Sequence, residues 1–154
     1  VFSVERIAAL GEAARERLAA MGVSNVAVRI GDGHDGWPAH APFDRILVTA
    51  APIGVPQPLV DQLAEGGILV APVGEEYGQM LVRWTKRDGH MRGEELGSVR
   101  FVPLLQGRAG VAAIVGTDHV IRGGPAPRPG PEPNRVPEED PELIDDAWVI
   151  FTSG

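Results

Sequence analysis

The sequence predicts an α/β fold, with a mainly parallel sheet and an antiparallel hairpin on its C-terminal side. Three observations predict it. Short apolar runs alternate with stretches of helical period in the order strand, helix, strand, strand, helix, strand. Two of those runs, Ile46-Leu47-Val48 and Ile68-Leu69-Val70, are continuously apolar, as in parallel strands buried on both faces. Asp88-Gly89 then separates two longer and more polar runs, a hairpin signal.

Each element has its own reason. Val1 to Val4 is short and β-prone, and Glu5 closes it. Ile7, Leu10, Ala14, Leu18 and Met21 recur at steps of three and four, which predicts a helix with one buried face, capped by Gly22. Val26, Val28 and Ile30 alternate as in a strand, which stops at Gly31-Asp32-Gly33. Pro56 to Leu63 is predicted as a helix, with proline at its start and Gly66-Gly67 past its end. Strands are expected at Met80–Thr85 and Leu96–Leu104. Val111–Val115 and Trp148–Phe151 are strand-like but have no local partner.

Composition narrows the function classes. At 154 residues the chain suits one domain with a real core. A formal charge of −7 argues against nucleic acid, which is met by basic patches. Cysteine is absent, which removes disulfides, thiol nucleophiles and Cys-ligated zinc. No apolar run reaches the length of a spanning helix, so a cytoplasmic protein without a membrane partner is expected. Half of the 14 prolines fall between Pro125 and Pro141, which reads as an extended linker. The expected organisation is therefore a domain over 1–105 and a proline-rich linker and extension over 106–154.

Ligands of open parallel sheets bind beyond the carboxyl ends of the strands. Glu5 closes the first strand, Asp32 the second, and Thr49-Ala50-Ala51 the third. An acid at the first position can accept from a ribose diol. Asp32 can accept from an exocyclic amine while the Gly33 amide donates to a ring nitrogen, and together they would read an adenosine. Each feature also has a plain structural reading: an acid beginning a helix, and an ordinary glycine turn. His34, Asp35 and His40 share one loop, but their spacing matches no standard metal site, and no metal is expected. Trp37 is expected to anchor its loop, Gln79 to occupy a turn or sheet edge, and His90 to be solvated.

The segments "VFSVERIAALGEAARERLAAMG", "VRIGDGHDGWPAHAPFDRILVTAAP", "LAEGGILVAPVG", "GQMLVRW" and "VRFVPL" resemble, in order and spacing, the protein-L-isoaspartate O-methyltransferases. The resemblance covers Val1 to about Leu105. It implies a Rossmann-like, S-adenosylmethionine-dependent methyltransferase fold and methylation of the α-carboxylate of isoaspartyl residues in damaged proteins, a repair reaction. Isoaspartyl proteins or peptides would be the partners. By the same resemblance, Glu5 binds the ribose, Asp32 and Gly33 contact the adenine, and Thr49, Ala50, Ala51 and Pro52 border the methyl donor and the substrate. No side chain is assigned a catalytic role. The acceptor carboxylate is already ionised at neutral pH and the sulfonium is already a good leaving group, so alignment carries the chemistry.

The resemblance also implies an incomplete fold. The family's first strand, its glycine-rich cofactor loop and a substrate-binding serine would precede Val1. Without that strand its two neighbours would lack a partner between them, leaving an open central edge and weak cofactor binding. A truncated copy with doubtful activity is expected. The alternatives are a non-catalytic fragment or fusion product and, as a lesser option, a nicotinamide-dinucleotide domain. The closing "DDAWVIFTSG" weakly resembles the strand before the phosphate loop of adenylate-forming enzymes. Oligomeric state is not fixed by any of these features.

Overall fold

The computed structural model describes residues 1–109 and the backbone of Trp148–Thr152. The strand expected at Val111–Val115 and the proline-rich segment lie outside the described residues. The elements are β1 (Phe2–Glu5), α1 (Ala8–Ala20), β2 (Ala27–Ile30), β3 (Phe43–Val48), α2 (Gln57–Asp61), β4 (Leu63–Val73), β5 (Gln79–Arg87), β6 (His90–Val99) and β7 (Trp148–Thr152). They form one seven-stranded sheet in the order β2-β1-β7-β3-β4-β5-β6. Pairing is parallel from β2 through β4 and antiparallel for β4–β5 and β5–β6. The mainly parallel sheet with an antiparallel hairpin is as the sequence predicts.

The open central edge is not. β7 lies between β1 and β3 and pairs in parallel with both, Val149 opposite Phe2 on one side and Ile46 on the other. Local periodicity could not reveal this, because the partner of β7 lies at the other end of the chain.

Several boundaries also move. α2 is shorter than predicted, and β4 begins at Leu63, before the two glycines. The hairpin strands run right up to a two-residue turn in which Asp88 and Gly89 both have positive φ, 52° and 73°, the conformation whose twist matches the strands it joins. β6 ends at Val99, and Phe101–Leu104 is not a strand.

The core is built by Val4, Phe43, Ile46, Val48, Leu59, Leu63, Leu69 and Ala71, all buried. α1 departs from its predicted buried face. Leu10 and Met21 are exposed, and Gly11 is the residue buried against the sheet. A Cβ at Gly11 would come within 2.9 Å of Ile30 Cγ1, so the absent side chain sets how closely α1 approaches β1 and β2.

Candidate functional site

The chain runs outward on both sides of β7, from β1 to β2 and from β3 to β4. The reversal of strand order therefore falls at β7, and in open α/β sheets the ligand crevice lies at the carboxyl ends of such strands. Glu5, Asp32 and Thr49 follow or end β1, β2 and β3, so all three belong to that rim. Thr152 closes β7 level with Glu5.

Glu5 is buried, and its Oε1 accepts the amide of Ile7 at 2.8 Å. Its Cβ and Cγ lie 3.6 Å from the point a Cβ at Gly11 would occupy, an ordinary packing distance, so α1 packs closely against this acid. Thus the carboxylate serves the start of α1 while remaining at the strand end.

Asp32 is more heavily engaged than the sequence suggests. It caps the one-turn helix Gly33–Asp35: Oδ1 accepts the His34 amide at 2.8 Å and lies 3.0 Å from His34 Nδ1. Oδ2 accepts the amide of Gly107 at 2.5 Å. Burial pushes this carboxyl up, but the amides of Gly107 and His34 and the His34 ring outweigh it, so its pKa lies below the ordinary range. An ionised carboxylate has about four lone-pair sites. Three of them are used, which leaves Oδ2 able to accept one further donor beside Gly107. Gly33 is buried and opens the turn, so its amide has no partner within that turn.

The segment carrying Gly107 crosses the same rim. Arg6 Nε donates to the Gly107 carbonyl at 3.3 Å, and Ala109 donates its amide to the Arg6 carbonyl at 3.0 Å. A strap from Gly107 to Ala109 thus ties Arg6 after β1 to Asp32 after β2.

On the other side of β7, the Thr49–Pro52 segment meets Phe101–Leu104. Ala51 donates to the Val102 carbonyl and accepts from Leu104, each at 2.8 Å. Gln79 holds that arrangement. It is buried, and its side-chain amide donates to the Phe101 carbonyl at 3.0 Å and accepts the Phe101 amide at 2.6 Å. The turn or edge role expected for Gln79 is corrected to a buried clamp. A cleft of about 360 Å³ opens beside it, lined among others by Ala51, Ile53, Glu75, Glu76 and Leu105.

The loop between β2 and β3 is fixed by a residue the sequence reading passed over. Gln62 donates to the Asp35 carbonyl at 2.9 Å and accepts the Trp37 amide at 2.7 Å. No periodicity marks such a residue, because a glutamine at a helix end is ordinarily solvated. Trp37 anchors its loop against Phe2, ring centroids 5.5 Å apart, and Phe2 stacks on His40 at 4.3 Å. Of the loop's three potential metal ligands, His34 contacts Asp32 and His40 stacks on Phe2, and among the described residues no cluster of three ligating side chains forms.

The residues present fit an adenosine-bearing cofactor, with acids at two adjacent strand ends and small residues at the third. Similarity to known proteins points the same way. The chain is 56% identical over 108 residues to a protein-L-isoaspartate O-methyltransferase of Methylorubrum populi, covering 70% of this chain and 50% of the relative. It is 51% identical over 107 residues to protein-L-isoaspartate O-methyltransferase 1 of Marinobacter nauticus, covering 70% and 49%. The chain thus spans about half the length of these relatives. A solved protein-L-isoaspartate O-methyltransferase superimposes with a TM-score of 0.64 at 31% identity, over 67% of this chain and 33% of the other. A Plasmodium falciparum structure described under the same name, in complex with S-adenosyl-L-homocysteine, gives 0.60 at 29% identity over 68% and 52%. The family model described as Protein-L-isoaspartate(D-aspartate) O-methyltransferase matches residues 1–109. The chain belongs to the protein-L-isoaspartate O-methyltransferase family.

Proposed function

We propose that this chain contributes the adenosine-binding side and one substrate wall of an enzyme that transfers methyl from S-adenosylmethionine to the α-carboxylate of L-isoaspartyl residues. The observation that supports it most is the pair of acids, Glu5 and Asp32, at the carboxyl ends of adjacent parallel strands beside the strand-order reversal. In this reading Glu5 receives the ribose hydroxyls. Asp32 takes the adenine amine on Oδ2, and the Gly33 amide meets a ring nitrogen. Thr49–Pro52, stitched to Phe101–Leu104, forms the wall between donor and substrate. The bound cofactor supplies an activated methyl on a sulfonium, and the chain's residues bind, orient and exclude water. The acceptor is already an anion at neutral pH, so no general base is required. Isoaspartyl proteins are the partners, and a cytoplasmic location belongs to the same proposal because the methyl donor is a cytosolic metabolite.

The test joins this chain to the N-terminal part of the Methylorubrum populi relative and measures labelled methyl transfer to an isoaspartyl peptide. Transfer above an aspartyl control is expected, and Glu5→Gln should reduce it. Transfer no greater than to the control overturns the proposal.

A further inference from the structure

Asp32 is held at both oxygens of its carboxylate, and the two are held from very different places. His34 pins Oδ1 locally, with its amide at 2.8 Å and its ring nitrogen at 3.0 Å. Oδ2 is pinned from far along the chain, by the Gly107 amide at 2.5 Å. A carboxylate turns easily about its last torsion, whose minima are broad. Fixing the second oxygen therefore fixes the plane.

Gly107 is itself held on either side. Its carbonyl accepts from Arg6 Nε at 3.3 Å, and Ala109 donates to the Arg6 carbonyl at 3.0 Å and bridges Ile7 in parallel. Ala109 is buried, which anchors that end. At the other end Leu104 is bonded to Ala51 beyond β3. Gly107 has φ 79°, the left-handed region that favours glycine, while a Cβ there would meet no heavy atom within 4 Å. The position requires glycine for its backbone and not for space. Only with this bend does the amide reach Asp32 while the carbonyl reaches Arg6.

We infer that Gly107 is a positioning residue for purine selection: it sets the plane of the Asp32 carboxylate so that Oδ2 faces an exocyclic amine, and Arg6 holds it in place. This rests on the adenine contact proposed above for Asp32. The Asp32 carboxyl lies below its ordinary pKa, so at neutral pH it only accepts hydrogen bonds. An amine fills its remaining site, whereas a purine without that amine leaves the site without a donor. A strap that competed with the ligand for Oδ2 would have the opposite effect. An oxygen has two lone pairs and Gly107 uses one, so orientation outweighs competition.

The experiment uses the full chain and two nucleosides, adenosine and purine riboside, which differ only in the exocyclic amine. Binding is read from NMR shifts of the Gly33 and His34 amides and needs no methyl transfer. Adenosine is expected to bind about 10-fold more tightly, the worth of one hydrogen bond to a charged group. In Gly107→Val, a β-branched residue at this φ, the preference should fall to about twofold or less. A strap that merely stiffened the rim would weaken both nucleosides alike and leave the preference intact. Arg6→Gln keeps the backbone contact with Ala109 and should lower the preference part of the way. It decides the matter should Gly107→Val lose the amide shifts of β5 and β6 and so prove unfolded. An unchanged or increased preference in Arg6→Gln, or in folded Gly107→Val, overturns the inference and leaves the adenine contact standing. Failure of the unsubstituted chain to prefer adenosine overturns the adenine contact itself, and the inference with it.

Discussion

The amide of Gly107 donates to Asp32 Oδ2 at 2.5 Å, across 75 positions of sequence. This one hydrogen bond ties the strap beyond the hairpin to the acid proposed to bind the adenine. If Asp32 binds the adenine as proposed, cofactor affinity and strap order depend on the same carboxylate.

Asp32→Asn should weaken both. The asparagine oxygen can satisfy only part of what the carboxylate accepts, and its amide group would face a backbone donor. Loss of charge-assisted bonds costs about 1.5–3 kcal/mol. Calorimetric titration of the joined enzyme with S-adenosylhomocysteine should show affinity lower by about 10-fold or more. Unchanged affinity would remove Asp32 from the adenine site.

The lowered pKa of Asp32 fixes the sign of a pH effect. The folded state favours the ionised carboxylate, so its contribution is complete above the ordinary carboxyl pKa and is lost as pH falls through the lower folded value. In an NMR titration the Gly107 amide should keep its shift from neutral pH downward and move only below about 3.9. An inflection above that value would contradict the assignment.

Gln79→Leu should destabilise the chain by about 2–3 kcal/mol, because the amide and carbonyl of Phe101 lose their buried partner. Urea denaturation reads the loss. Hydrogen exchange should show it centred on Ala51 and Leu104, whose bonds to each other's segments depend on this clamp.

Gly36→Ala tests the loop below Asp32. Gly36 has φ 64° and ψ −146°, a backbone region essentially reserved for glycine, and an added Cβ would overlap the Gln62 side-chain amide. The expected cost is about 2 kcal/mol or more, with a lower Tm and faster exchange at Trp37. Gly22→Ala is the comparison: it also has positive φ, 72°, but open space around it, so it should cost less.

The element types, the parallel sheet and the positions of Glu5, Asp32 and Thr49 at strand ends were legible because each is written in residues close together. A period of 3.6, an alternation of two, or an acid between glycines needs no distant partner to be recognised. Boundaries were legible only where a breaker fell at the true end. Asp88-Gly89 located the hairpin turn, whereas Gly66-Gly67 misled, because β4 runs through both.

What only the tertiary structure decided are the contacts between residues far apart in the chain. Gln62 and Gln79 are polar residues whose burial depends on backbone groups brought to them from 22 to 27 positions away. The strap from Gly107 to Ala109 carries no periodic signal, since one amide on Asp32 and another on Arg6 define it. The strand at Trp148–Thr152 was legible as a β-prone run, but its neighbours were not. A strand's side-chain pattern reports that both faces are covered, while its pairing is made by backbone groups that every residue shares. The sequence by itself therefore determined that this run is strand-like and which family the chain resembles. The fold decided that this strand lies between β1 and β3, where its backbone pairs on both edges.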